Sequence, residues 1–350
     1  MSNLDKNIKA VVGGLVKPLS SRNRDIISRR FGLSNGRTET LESIGRTYKI
    51  TRERVRQIED YVLKNLRAEL AGGAGVKIQP YFDFVASLLG EHGGFMTEEY
   101  LFDNFSGHAG YNVSNASLTF LLSLSQDFGK KSESDNLQAI WYLNNGAQET
   151  LSEVIASTVN SLEDKKSLLS KEGLYDLYKA KAKGRVATLP AFLSATNISK
   201  QIGKNIFGEY GLVSWPEIKP RGVRDRAYLI LKRENNPKHF REITSLINVA
   251  SFSTKKANVQ TVHNELIKDG RFVLVGRGIY GLMEWGYKSG TVKDVLVDIL
   301  KESPRPLSKT ELVAKVLSSR YVKENTVLLN LQDSKTFNKK GDGTYSLRKA

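Results

Sequence analysis

The stretch Tyr48–Tyr61, YKITRERVRQIEDY, gathers side chains able to read the edges of base pairs. Arg52, Glu53, Arg56 and Gln57 lie within two helical turns, while Val55 and Ile58 give the same helix an aliphatic side. Arginine grips guanine with two hydrogen bonds, glutamine matches adenine, and glutamate accepts from the amino group of cytosine. Thr51 stands where it caps the helix, and a capped N-terminus also receives phosphate. On an ordinary surface helix the same residues would pair with one another at i,i+4. The spacing favours reading. Gly45 is the small residue of a first helix, Lys49 and Ile50 make a tight turn, and Val55, ten residues after Gly45, anchors the second helix.

Little else in the chain suggests reactive chemistry. Its 350 residues include no cysteine, which excludes disulfide scaffolds, cysteine-based zinc fingers and thiol catalysis. His92, His108, His239 and His263 are scattered without metal-ligand spacing, so structural or surface roles are expected. Glu98, Glu99 and Asp103 read as the surface of an amphipathic helix, and no Ser/His/Asp grouping or paired carboxylates stand out. No enzymatic activity, cofactor, metal or small-molecule substrate is therefore expected. GRGIYG, Gly276 to Gly281, satisfies G-x-G-x-x-G in form. It lies between two strand-like runs, FVLV and YGLMEW, whereas a dinucleotide site needs a strand before it and a helix after, so it reads as a hairpin turn.

The elements that must hold the reading helix begin at Leu19. RNRDIISRRFG is helical, with Ile26, Ile27 and Phe31 on one side and a stop at Gly32. LSNGRTET is a loop, Thr40 caps LESIGRTY, and Thr51 caps RERVRQIEDYVLKNLRAEL, whose Val55, Ile58, Val62 and Leu66 form a buried stripe. Over Leu19 to Leu70 this sequence resembles region four of the primary sigma factors of bacterial RNA polymerase, which recognises the promoter −35 element. The resemblance implies that Arg52, Glu53 and Gln57 contact bases. It also implies that Arg22, Arg30, Thr51 and the backbone of Leu41 and Glu42 contact phosphates, with Arg54 and Arg56 near the duplex or facing an activator. Lys49 replaces a turn glycine usual in that family, and Tyr61 replaces a lysine that commonly contacts phosphate. Only 18 residues precede the motif, leaving no counterpart of the domains that melt the promoter, so a complete sigma factor is not expected.

After AGGAG, Ala71 to Gly75, read as a flexible break, an internal repeat sets in. An aromatic-x-Leu signature recurs at Trp141/Leu143, Tyr210/Leu212, Tyr280/Leu282 and Tyr345/Leu347, with the aromatics 69, 70 and 65 residues apart. Ile202, Phe272 and Phe337 stand eight residues before the last three, and Phe128 precedes the first by thirteen. Each interval reads as a short hairpin preceded by helices, and the openings TEEYLFDNF, SKEGLYDLY and SKTELVAKV start on Ser or Thr-like caps, the last with a Ser308/Glu311 capping box. Helix, helix, helix, hairpin in about 70 residues is the order of a winged helix. The expected fold is mainly α with small β-hairpins: a tail at 1–18, a helix-turn-helix at 19–72, and four tandem winged helices at 76–146, 147–216, 217–289 and 290–350. The hairpin of the second is poorly formed in sequence. The third, from Arg224 to Tyr287, resembles the HARE-type winged helix of the RNA polymerase delta subunit, with LIKDGRFVLVGRGIYGL as its characteristic part. Lys255, Lys256, Arg271 and Arg277 are its candidate basic contacts, against plain solvated cations.

Charge sets the partner class. The net charge of +16 divides into +7 for residues 1–74, −3 for 75–215, +7 for 216–290 and +5 for 291–350. Basic ends around an acidic middle point to duplex DNA at the ends and a spacer or protein-binding surface between. The N-terminus lacks the layout of a signal peptide and no run approaches 18 apolar residues, so a cytoplasmic protein without membrane contact is expected. These features together suggest a DNA-binding transcription regulator or polymerase-associated factor. The alternative is an accessory subunit that docks on the polymerase core and reads no sequence. A targeted nuclease or modification enzyme is disfavoured by the missing carboxylate and metal clusters.

Overall fold

The computed structural model describes residues 4–71, 74–182, 187–287 and 289–348, which form sixteen α-helices and eleven short strands. They divide into two compact units, one running to Val213 and the other continuing from Ser214 and including Asn205–Phe207. Mainly α structure with small antiparallel sheets is what the sequence pattern led us to expect.

In the first unit, α1 (Leu4–Val16), α2 (Ser21–Phe31), α3 (Leu41–Tyr48) and α4 (Arg52–Ala71) come first. The expected tail at 1–18 is thus corrected over most of its length: Ile8, Val12 and Val16, four residues apart, form a buried stripe on α1. Ser20 caps α2 through the Asn23 amide, and Gly32, at φ 75°, ends it in the left-handed conformation that glycine adopts without strain. Gly72 and Gly73 of the expected flexible break lie outside the described residues, and Ala74–Lys77 form a 3₁₀ turn.

Three helices and a hairpin then recur. The first copy is α5 (Gln79–Glu91), β1 (Phe95–Thr97), α6 (Glu98–Ser106), α7 (Val113–Leu124), β2 (Phe128–Lys131) and β3 (Ile140–Leu143), with sheet order β1-β3-β2. The second is α8 (Ala147–Lys165), α9 (Lys171–Lys181), α10 (Leu189–Ile198), β4 (Ile202–Lys204) and β5 (Tyr210–Leu212). Its third strand shrinks to a bridge between Leu169 and Tyr210. The second unit holds α11 (Val223–Glu234), β6 (Lys238–His239), α12 (Phe240–Val249), α13 (Val259–Lys268), β7 (Phe272–Gly276) and β8 (Ile279–Leu282). It then carries α14 (Val292–Glu302), β9 (Leu307–Ser308), α15 (Lys309–Ser319), α16 (Glu324–Leu331), β10 (Phe337–Lys339) and β11 (Thr344–Leu347).

The hairpin register explains the aromatic-x-Leu signature. Leu143 pairs with Phe128, Leu212 with Ile202, Leu282 with Phe272 and Leu347 with Phe337. Each pair closes the same end of its small core. GRGIYG is the turn between β7 and β8, with Gly278 at φ 70°.

Packing is continuous from the helix-turn-helix into the first repeat. Ile27, Leu63 and Leu66 share one core with α1 and with Leu118, Phe120 and Leu121 of α7. Phe31 meets Phe120 edge to face at 5.1 Å, and Arg67 donates to the Ser123 carbonyl at 2.6 Å. Helix α7 is buried nearly all round, from Asn115 to Leu122 and at Leu124. Helix α10 is similarly enclosed, with Ser194 donating to the Phe95 carbonyl of β1 at 2.7 Å.

Candidate nucleic-acid interface

The turn between α3 and α4 is fixed by sterics. The Ile50 amide donates to the Gly45 carbonyl at 3.0 Å, and a Cβ on Gly45 would sit 2.7 Å from the Ile50 carbonyl oxygen. Only glycine leaves room for that approach. Lys49, in the place of the usual glycine, adopts the left-handed conformation at φ 52°, ψ 43°, so the turn keeps its shape despite the substitution. Val55 is fully buried with Ile26 and Ile44, while Leu41, Tyr48, Ile50 and Ile58 pack round them partly exposed. Tyr48 donates to Asp25 at 2.6 Å, and Arg29 holds the same carboxylate at 2.7 Å, tying α2 to α3.

With Val55 facing inward, Arg52, Glu53, Arg54, Arg56 and Gln57 are all exposed along the first turns of α4. Arg56 pairs with Glu53 and with Asp60, each at 2.7 Å, and Arg54 donates to Gln57 at 3.0 Å. The Arg56 guanidinium holds the Glu53 carboxyl below the usual carboxylate range. Arg52 makes no side-chain hydrogen bond among the described residues and is open to an incoming acceptor. Both readings of the motif thus meet in one helix: the i,i+3 and i,i+4 pairs form, and they form on the face opposite Val55. Such exposed pairs are weak and screened by solvent, and a base edge or phosphate can displace them.

The implied phosphate contacts divide. Thr40 and Thr51 cap α3 and α4 through the Ser43 and Arg54 amides, both at 3.1 Å. The amides of Leu41 and Glu42, and those of Arg52 and Glu53, sit at helix N-termini without an intrahelical acceptor, where the helix dipole favours an anion. Arg22 is exposed, its guanidinium 5.5 Å from the Tyr48 ring centre. Arg30 also has a structural role: its guanidinium donates to Glu59 at 3.0 Å and lies against the Glu39 carbonyl, tying α2 to α4. Tyr61 is 62% exposed, so a phenol stands where a lysine contact was expected. The sequence reading gave Lys49 no binding role, yet it is an exposed cation two residues before the Thr51 cap. Its only sequence signal was a non-glycine at a turn.

In the third repeat, Lys255 and Lys256 are exposed between α12 and α13, and Arg277 is exposed at the tip of the β7–β8 hairpin. Arg271 is engaged within the fold. It binds Asp269 at 2.6 Å and Asp225 at 2.9 Å and lies 5.0 Å from the Tyr228 ring centre, fastening the hairpin to α11. Glu98 is corrected. It is buried, paired with Lys130, and accepts from the Tyr111 hydroxyl at 3.0 Å and from the Trp141 indole at 3.3 Å. Its helix-opening position, just after the Thr97 cap, made it read as surface. The histidines do local work: His239 accepts from the Arg241 amide to cap α12, and His263 stacks on Phe240 at 4.3 Å. No His or carboxylate cluster suited to a metal occurs among the described residues, and none of their helices is long and apolar enough to cross a membrane.

Comparison with known proteins places a family on this site. Residues 15–68 match the model of sigma-70, region 4. RNA polymerase sigma factor SigA1 of Synechococcus elongatus is 50% identical over 54 residues, covering 15% of this chain and 14% of the relative. SigA of Listeria monocytogenes is 43% identical over 60 residues, covering 17% and 16%. SigA of Nostoc sp. is 53% identical over 49 residues, covering 14% and 13%. These matches cover 49 to 60 residues of the chain and span about a seventh of each relative's length.

Proposed function

We propose that this chain is a DNA-binding transcription regulator or RNA polymerase-associated factor that acts by binding, without catalysis, in the cytoplasm. Its reading element is the start of α4, where Arg52, Glu53 and Gln57 meet base edges. Thr51, Arg22 and the amides of Leu41 and Glu42 hold the flanking phosphates. The single observation that carries the reading is the open polar face of α4, set by the Gly45–Ile50 contact and the buried Val55. The sigma-70 region 4 match over residues 15–68 supports duplex DNA as the partner.

Following the HARE-type resemblance of residues 224–287, the four repeats are winged helices carried behind the reader. The alternative, docking on the polymerase core without sequence readout, draws on the acidic charge of residues 75–215. It is less favoured at the helix-turn-helix itself, because the apolar side of α2 and α4 is already covered by α1 and α7. A protein docked there would have to use another face.

The test is selection of bound sequences from a random duplex pool by the full chain, followed by footprinting. Arg52→Ala and Gln57→Ala are each expected to cost about 1–3 kcal/mol at particular base pairs and to relax the preference there. An enriched sequence and footprint unchanged by both substitutions would refute readout by α4.

A further inference from the structure

The first and second repeats leave a cavity of about 950 Å³ between α6 and α10, and no residue before His92 lines it. Its chemistry is the reverse of the chain's basic ends. Glu98, Glu99, Asp103 and Glu133 stand in the lining, and no lysine or arginine does among the described residues. That is a marked exception in a chain of net charge +16. Phosphate is repelled from such a lining and a cation is drawn to it.

The wall of the cavity shows how these groups hold a positive charge. Lys130 pairs with Glu98, and its ammonium lies 2.8 Å from the Tyr111 hydroxyl and 5.5 Å from the ring centres of both Tyr111 and Trp141. A cation over aromatic faces beside a carboxylate is held by both. Glu98 itself is only 9% exposed, and its Oε1 meets all three donors, Lys130, the Tyr111 hydroxyl and the Trp141 indole. Its Oε2 makes no hydrogen bond among the described residues, although Glu98 lines the cavity.

The outer part of the lining repeats this chemistry. Glu99 and Asp103, one turn apart on α6, are exposed and make no ion pair among the described residues, whereas Glu133 is paired with Lys200. Tyr100 is 44% exposed, with its ring edge-on to His92 at 5.2 Å, and Tyr111 meets Phe102 in the same way at 5.1 Å. Met96 and Leu193 add the apolar surface along which the stem of a lysine or arginine packs.

We propose that this groove binds a basic segment of a partner protein, with a lysine or arginine held by Glu99 and Asp103 and directed toward Glu98. Charge complementarity selects the cation. The rim selects a chain segment over a free small cation: the exposed side-chain amides of Gln138 and Asn197 each offer a donor and an acceptor to a peptide backbone. The acidic middle of the chain thereby gains a recognition role separate from α4.

The experiment titrates the full chain with a fluorescein-labelled peptide of alternating arginine and leucine, read by anisotropy at low and high salt. A peptide with serine for arginine is the blank. Glu99→Gln with Asp103→Asn is expected to weaken binding about tenfold and to flatten its salt dependence. Both side chains are exposed, so the fold is kept. Tyr100→Leu keeps an apolar side chain, removes the aromatic face and is expected to weaken binding about threefold. Glu149→Gln with Glu153→Gln removes the same charge at the same spacing from the exposed side of α8 and serves as the control. An equal loss in that control would reduce the effect to net charge and overturn the proposal. So would arginine and serine peptides that bind alike, or arginine binding unchanged by Glu99→Gln with Asp103→Asn. Arginine amide that binds as tightly as the peptide would mark a site for a free small cation and overturn the segment. A dimer of the chain alone, seen by light scattering and lost in the Glu99 and Asp103 variant, would place a second copy in the groove instead. Duplex binding by α4 enters none of these outcomes.

Discussion

Lys49 holds a left-handed backbone conformation, at φ 52°, that costs an L-residue about 1 kcal/mol. Nothing in its surroundings requires the side chain for folding, since it is exposed. Lys49→Gly is therefore expected to raise stability by about 1 kcal/mol, read from a denaturant midpoint at constant slope. The same change removes a cation beside the α4 N-terminus, so duplex affinity should fall even as stability rises. Stability and affinity moving in the same direction would contradict this assignment. Gly45 is the reverse case. Its missing Cβ leaves room for the Ile50 carbonyl, and Gly45→Ala is expected to cost about 1–3 kcal/mol.

At the scale of single elements, local chemistry shows where much of the fold's legibility came from. Thr40, Thr51 and Ser308 were readable as caps because a hydroxyl before a helix satisfies an amide that nothing else reaches. Glu311 completes the box on α15, accepting from the Ser308 amide at 2.8 Å and from Arg305 at 2.6 Å. The Ser308 amide and then Arg305 lower its carboxyl from 4.5 to about 2. A depressed carboxyl stabilises the fold above its unfolded pKa, and that contribution fades as pH falls from 4.5 towards about 2. The melting difference between the chain and Glu311→Gln should thus be constant above about pH 5 and shrink through that window. A difference that stays constant down to pH 2 would exclude Glu311 as the group responsible. Burial of whole helices was less legible. VSNASLTFLLSL shows apolar, Ser, Thr and Asn side chains all round, and periodicity alone cannot say which neighbours enclose it. For the same reason Glu98 read as surface, although its partners Tyr111, Lys130 and Trp141 come from elsewhere in the first repeat. Arg271 and Arg30 repeat the lesson: a basic residue announces charge in a sequence, and only the fold reveals a carboxylate waiting beside it.

At the scale of the whole molecule, the helix-turn-helix is one wall of a core that continues into the first repeat. Ile27, Leu63 and Leu66 from one side meet Leu118, Phe120 and Leu121 from the other, and α1 closes the group. This arrangement ties the stability of the reading helix to residues more than fifty positions away in sequence. Phe120→Ala removes a fully buried ring that meets Phe31 at 5.1 Å, and a cavity of that size costs about 3–5 kcal/mol. If the core is shared, the loss should appear in both parts: amides of α2 and α4 should exchange faster along with those of α7. Hydrogen exchange of the full chain, resolved by peptide, checks this. Faster exchange confined to the first repeat would mean that the helix-turn-helix folds on its own and merely rests against α7. Exchange rising across both by the same free energy would mark them as one cooperative body, with the orientation of α4 set by the repeat behind it.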